Sequence, residues 1–270
     1  GLDENYKIQI VNSTDKEKRE KYVKHLYKKL QREGQLERDV DRLVRNDRIA
    51  WGSSMIACND ADAMVTGNIR HYAASIEKLK KVVNARPGEE IFGMTMVVSK
   101  GKTILVADTN VTELPSAERL INISKSCVRI ARLFGFEPKV AFLSHSTFGK
   151  PLSRNTRHVR DAIEKLKKEK VDFDFDGEMQ PDVALNPIYQ EIYPFSKIVG
   201  KANVLIMPAL HSAAISTKLM KVFGGGKNIG PLLIGLGQPI EVAPLRASTS
   251  EILNLASIAA YSSDVIDYSN

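Results

Sequence analysis

The stretch "KVAFLSHSTFGKP", Lys139 to Pro151, decides how the chain reads. Its first part, through Leu143, is the short apolar run of a buried strand, as strands of a parallel sheet are. Directly after it come Ser144, His145, Ser146, Thr147, Gly149 and Lys150. In open α/β sheets, ligands sit in the crevice beyond the carboxyl ends of the strands. Hydroxyls, a glycine and free backbone N–H groups at such a turn can cradle phosphate, and Lys150 can neutralise it. The same residue types also suit a plain helix cap or turn. The loop is no Walker loop, because G-x-x-x-x-G-K-[ST] is absent, and "GGGKNIG" at 224–230 fails the pattern at Asn228.

Outward from this point, the alternation continues. "ANVLIMP" is a second buried strand, followed by a helix from about Ser212 to Phe223, and "GPLLIG" is a third, before a last helix from Thr249 to Tyr261. Towards the N-terminus, Pro115 opens a helix through Phe134, and Ile91–Ser99 and Thr103–Ala107 read as strands around Gly101, as in a hairpin. "ADAMVTGN" reads as a buried strand turning at Gly67, with a helix from His71 to Val83 after it. Residues 7–11 (KIQIV) suggest a strand, and Ser13 a cap for a long amphipathic helix. Two further helices pass through Leu36, Val40 and Leu43 and from Ile49 to Cys58, and one more runs from about Thr156 to Lys170. Strands alternating with helices indicate α/β layers with mainly parallel pairing.

The crevice candidates are then the residues just after each apolar run: Gly67-Asn68, Asp108-Thr109-Asn110, Ser144 to Lys150, Pro208 to Ser212, and "QPIEVAPLRASTSEI", Gln238 to Ile252. "DFDFDGEMQPD" adds Asp176 and Glu178, either a metal or acid–base cluster or a turn that positions a carboxylate over a cleft. It lacks EF-hand spacing and a neighbouring Cys/His group, so a metal is the weaker reading. His145 and His211 both follow strands, yet lone histidines also serve as structural hydrogen-bonding residues.

The chain has 270 residues, 43% of them hydrophobic, which suffices for one large core or two smaller ones. Its formal net charge of +7 favours polyanionic partners such as nucleic acid, a phosphate-rich coenzyme or an anionic membrane surface. The charged N-terminal stretch mixes acids with bases, as a solvated helical face does, and no nucleic-acid-reading motif accompanies it. Cys58 and Cys127 stand alone in apolar contexts, so they read as small buried hydrophobes in a reducing cytoplasm. No apolar run approaches the roughly 18 residues that a membrane span needs.

Several segments match one family in order: "NDADAMVTG", "LVADTNV", "FLSHSTFGKP", "DGEMQPDVALNP", "KANVLIMPALHSAAISTKLM", "IGPLLIGLGQPIE" and "STSEILNLASIAA". Together they resemble the phosphate acetyltransferases and, more narrowly, the phosphotransacetylase-like C-terminal region of bacterial hybrid NADP-dependent malic enzymes. The resemblance runs from about Ile8 to Ala260. It implies a two-domain α/β fold, with mainly parallel sheets flanked by helices. Residues 1–84 with 236–270 would form one domain and 85–235 the other, with acetyl-CoA or coenzyme A in the cleft between them. It further implies a homodimer through this domain, and a malate-oxidising part, with its NADP and divalent metal, in residues preceding Gly1.

Acetyl transfer between coenzyme A and phosphate needs a base for a thiol of pKa about 8.5. It also needs a cation for the phosphate and donors for the oxyanion. The family supplies a serine, an arginine and an aspartate in P-x-x-x-x-S-R-G-x-S-x-x-D. Laid on Pro239 without gaps, that pattern puts Pro244 at the serine, Leu245 at the arginine and Glu251 at the acid, while Arg246 arrives one residue late. Losing one preorganised donor costs roughly 2.7–4 kcal/mol in such sites. The resemblance therefore implies a degenerate domain that binds acetyl-CoA and regulates an attached dehydrogenase. Ser144, Ser146, Thr147 and Lys150 would meet phosphate groups, Asp176 and Glu178 would line the cleft, and Arg246 and Glu251 would sit at the acyl end. An active phosphate acetyltransferase, with Arg246 reaching the phosphate through a bulge and Glu251 as base, is the alternative.

Overall fold

The computed structural model describes residues 9–109, 111–266 and 268. In chain order its elements are α1 (Lys16–Leu30), α2 (Glu37–Asn46), α3 (Arg48–Ala57), β1 (Met64–Gly67), α4 (Tyr72–Val82), β2 (Phe92–Ser99), β3 (Lys102–Ala107), α5 (Ala117–Leu133) and β4 (Lys139–Leu143). Then follow α6 (Arg157–Lys168), β5 (Asp174–Met179), α7 (Pro181–Leu185), β6 (Val204–Ile206), α8 (Leu210–Phe223), β7 (Lys227–Ile234), β8 (Ile240–Ala243) and α9 (Thr249–Val265).

The larger sheet has the strand order β5-β4-β6-β3-β2-β7, and β1 pairs with β8 in a second, two-stranded sheet. The pairs β4–β5, β4–β6, β3–β6 and β1–β8 are parallel, whereas β2–β3 and β2–β7 are antiparallel. The mixed, mostly parallel α/β architecture agrees with the alternation in the sequence. The antiparallel pairs arise because the β2–β3 hairpin turns at Gly101, which has a left-handed φ of +72°.

The apolar strands form the centre of the large sheet: Val140, Ala141, Phe142, Val204 and Ile206 are almost wholly buried. Helix α5, capped by the Ser116 hydroxyl accepting from the Arg119 N–H, covers one face with Leu120, Ile123, Cys127, Ile130 and Ala131. Truncating Phe142 to alanine in this layer would cost about 3–5 kcal/mol. The N-terminal helices share a separate cluster, built on Tyr22, Leu26, Val40, Val44, Trp51 and Leu79, which also takes in Ile240 and Val242 of β8. Asp47 ties this region together: its carboxylate accepts from the Ile49 and Ala50 N–H groups at the start of α3 and pairs with Arg70 and Lys78.

Local readings of the sequence need correction at several points. Helix α1 is capped by Asp15, which accepts from the Lys18 N–H, rather than by Ser13. Of the strand expected at 7–11, residues 7 and 8 lie outside the described residues, and 9–11 form no strand. Strand β1 is half-buried instead of buried, because only β8 pairs with it. "DFDFDGEM" is not a turn: Asp174–Met179 form β5, the edge strand of the large sheet, with Phe175 turned into the core.

Candidate functional site

Strands β3, β4, β5 and β6 run parallel, so their carboxyl ends lie along one edge of the large sheet. That edge gathers the turns after Ala107, Leu143, Met179 and Ile206, as the strand-end rule anticipates. "GGGKNIG" lies at the other edge, since Lys227 pairs with Val98 near the end of β2.

The Ser144–Lys150 loop is built from the inside. The Ser144 and Ser146 hydroxyls are 3.0 Å apart, and Ser146 donates to Glu178 Oε1 at 2.5 Å. Ser144, Ser146 and Thr147 are buried, whereas His145 and Lys150 are exposed. Most amides expected to be free for phosphate are committed. Ser144 N–H donates to Met179 O, Ser146 N–H to Ser144 Oγ and Phe148 N–H to Glu178 O, while Thr147 and Lys150 exchange N–H···O bonds. Only the His145 and Gly149 amides lack a partner among the described residues. The loop therefore offers a ligand its outer rim: His145, the Gly149 amide and the Lys150 ammonium.

Glu178 is 1% exposed, and a buried carboxylate requires partners. Besides Ser146 it has Arg160 of α6, whose Nη1 lies 3.1 Å from Oε1 and 3.2 Å from Oε2. The same guanidinium donates to Ser153 O and Thr156 Oγ1, so it fastens the 153–156 turn to β5. Asp176 is not part of this network. The β4–β5 register passes from Phe142↔Gly177 to Leu143↔Met179, leaving Glu178 unpaired, and a bulge of that kind re-aims side chains. Asp176 thus accepts from the Gly177 and Lys197 N–H groups instead. Gly177 is required here, since a Cβ would stand 2.5 Å from Phe142 O.

Two neighbouring turns are structural. Asp108 accepts from the Gly93, Val111 and Thr112 N–H groups and organises the exit from β3, and Asn110 lies outside the described residues. The Pro208 carbonyl is bound to His158 Nε2 of α6 at 2.8 Å, while His211 is exposed on the first turn of α8.

A second group forms at the ends of β1 and β8. Arg246 N–H donates to Asn68 O, and Asn68 N–H donates to Ala243 O, so the Gly67-Asn68 and Arg246 segments do come together. Both Asn68 (φ +68°) and Arg246 (φ +58°) are left-handed, which is uncommon without glycine. Gly67 has φ +104°, and a Cβ there would lie 2.3 Å from Ala243 O. Beside them opens a cavity of about 630 Å³ lined by Arg48, Thr66, Gly67, Asn68, Arg70 and Ile252. Asn68 Oδ1 is buried and has no hydrogen-bond partner among the described residues. Leu245 and Arg246 are exposed, with Pro244 half-buried beside them.

Glu251 is committed elsewhere. It forms a capping box with Ser248 at the start of α9 and accepts from Lys221 of α8 at 2.6 Å. The Lys221 ammonium and the Ser248 N–H hold its pKa down at about 2. No hydrogen bond or ion pair among the described residues joins the Ser144–Lys150 loop to residues 244–251. Nor do the described residues contain a group of three or more His, Cys, Asp or Glu side chains able to hold a metal ion. Arg160 and His158 were invisible to sequence reasoning, since their partners lie on other elements.

This crevice-bearing α/β fold is that of the phosphotransacetylases. The chain covers 97% of itself and 80% of the EutD phosphotransacetylase from Staphylococcus aureus, with a TM-score of 0.83 at 26% identity. A phosphotransacetylase from Streptococcus pyogenes matches with a TM-score of 0.82 at 28% identity, over 92% of this chain and 75% of that one. The phosphate acetyl/butaryl transferase family model matches residues 1–260, and the chain belongs to that family. Among curated proteins, it is 44% identical to an NADP-dependent malic enzyme of Rhizobium meliloti over 94% of the chain, which is 33% of the relative's length. A phosphate acetyltransferase of Acetivibrio thermocellus is 29% identical over 94% of the chain and 79% of its own length. The chain thus spans about a third of the malic enzyme and most of the transferase.

Proposed function

We propose that the chain is an acetyl-CoA-binding, catalytically degenerate phosphotransacetylase-like domain that regulates a bacterial malic enzyme. In this reading it forms the C-terminal part of a protein that oxidatively decarboxylates malate to pyruvate, and it acts in the cytoplasm as a homodimer through this domain. NADP and a divalent metal would serve the malate reaction in other residues. The cleft lies between residues 1–84 with 236–270 on one side and 85–235 on the other.

Glu251 carries the degenerate reading. A general base works best with a pKa near the operating pH. A carboxylate at about 2 that is already bound to Lys221 and Ser248 is poorly suited to take a thiol proton. Leu245 stands where the family has its arginine, and Pro244 where it has its serine. What supports ligand recognition is the set of groups left available: Lys150 and His145 on one loop, and Arg246 and Arg48 near Asn68. Regulation follows if acetyl-CoA binds one arrangement of the subunits more tightly than another, since equal binding shifts nothing.

The active-transferase alternative draws on the extent of the match, about four-fifths of each of two transferases. Incubating the chain with acetyl phosphate and coenzyme A and following thioester formation separates the two. No turnover above background is expected. Turnover of about 1 s⁻¹ or faster, within the usual enzyme range, would replace the degenerate reading with the active one.

A further inference from the structure

Phe148 stands in the rim loop with a left-handed φ of +47°, a conformation that bulky residues rarely adopt. Its amide is anchored on Glu178 O at 2.7 Å, and its ring turns to the segment that follows α7. There it meets Tyr193 at 5.3 Å and Phe195 at 4.8 Å between ring centroids, with those two 6.0 Å apart. The mount is firm: Ser196 N–H donates to Tyr193 O, and Lys197 N–H donates to the buried Asp176 carboxylate. Yet Phe195 is 65% exposed, so a large aromatic face is presented to solvent instead of being packed away. Lys150 and Lys197, two residues beyond Phe148 and Phe195, are exposed and form no ion pair among the described residues.

An aromatic face flanked by unneutralised ammonium groups suits a ligand that is planar at one end and anionic beside it. We propose that Phe148, Tyr193 and Phe195 form the stacking platform for the adenine of a nucleotide-bearing ligand, with Lys150 and Lys197 neutralising its phosphates. Every base has a π face to stack, which is why exposed aromatics beside cations serve nucleotides so widely. The inference rests on the coenzyme reading of the same crevice and places the adenosine end of acetyl-CoA on the outer rim of the Ser144–Lys150 loop.

Calorimetric titration of the full chain with 3′,5′-adenosine diphosphate, acetyl-CoA and acetyl-pantetheine tests the platform. Phe195→Ala is expected to weaken the first two by about 10-fold, since a stacked base contributes roughly 1–3 kcal/mol. Acetyl-pantetheine, which has no adenine, should be unaffected, and Phe195→Trp should keep nucleotide binding. Equal losses for acetyl-pantetheine and acetyl-CoA would overturn the proposal, as would wild-type chain that takes up no adenosine diphosphate. A changed oligomeric state in Phe195→Ala with unchanged nucleotide affinity would also overturn it and mark the patch as a protein interface. If adenosine diphosphate binds in a Phe195-dependent way while acetyl-CoA does not, the platform stands and the coenzyme reading falls.

Discussion

Arg160 spans both oxygens of the Glu178 carboxylate, at 3.1 and 3.2 Å, and thereby joins α6 to the edge strand β5 beneath the Ser144–Lys150 loop. Glu178 is wholly buried on its side-chain atoms, while Arg160 keeps about a quarter of its own exposed. Removing the arginine leaves a buried charge without its main partner, a change that typically costs about 3–5 kcal/mol. Arg160→Ala should therefore destabilise the chain by about that much in urea unfolding. Arg160→Ala combined with Glu178→Gln should recover part of the loss, because the neutral amide no longer needs a counter-charge. Equal instability of the single and double variants would show that the ion pair is not the source.

Glu241 on β8 predicts how stability changes with pH. It is buried, it accepts from the Leu233 N–H of β7, and burial pushes its pKa up to about 8. A small cavity of about 30 Å³ beside it is also lined by Arg86, Arg129 and Tyr268. An unfolded glutamate titrates near about 4.3, so the folded chain holds this proton more tightly. The stability linked to it is complete below about pH 4.3 and is lost as pH rises towards about 8. Glu241→Gln keeps an acceptor for Leu233 and removes the titration. Its unfolding free energy should fall less steeply between those pH values than that of the parent, by a few kcal/mol in total as an order of magnitude. Parallel pH profiles would refute this.

Glu251 works in the opposite direction. Its pKa is lowered to about 2, so its contribution is present above the unfolded value of about 4.3 and fades as pH falls towards 2. Glu251→Gln removes the ion pair with Lys221 and weakens the cap of α9. A loss of about 1 kcal/mol at neutral pH is expected, the usual worth of a cap. The parent and variant should converge only as pH falls to about 2. A drop of several kcal/mol would mean that Glu251 carries more than a helix terminus.

Lys150 is exposed and points its charge at no carboxylate among the described residues, which suits a phosphate contact. Lys150→Ala should leave stability within about 0.5 kcal/mol, as exposed substitutions do. It should weaken acetyl-CoA binding more than the binding of desulfo-pantetheine, which lacks the nucleotide phosphates. Equal losses would place Lys150 away from any phosphate.

The strand-and-helix order was legible wherever apolar residues run together or recur at helical spacing, as in Val140–Leu143 and α5. It failed for β5 because alternating Asp and Phe in "DFDFDGEM" hides an edge strand behind an acidic composition. It failed for β8 because Ile240–Ala243 is only four residues between prolines. The site followed the same division. Strand-end position singled out Ser144 and Ser146, which join Glu178 in one network, and Asn68, which meets Arg246. Sequence could not show that the serine hydroxyls face inward, that the bulge at Glu178 separates it from Asp176, or that Arg160 closes the network. Those facts depend on register and on pairing between distant elements.

The central claim is that this family member recognises acetyl-CoA without turning it over, and its recognition half is open to direct measurement. Calorimetric titration of the chain with acetyl-CoA at neutral pH should show saturable binding, weakened by Lys150→Ala. No detectable heat at millimolar acetyl-CoA, repeated by equilibrium dialysis, would contradict the account and leave the domain a scaffold.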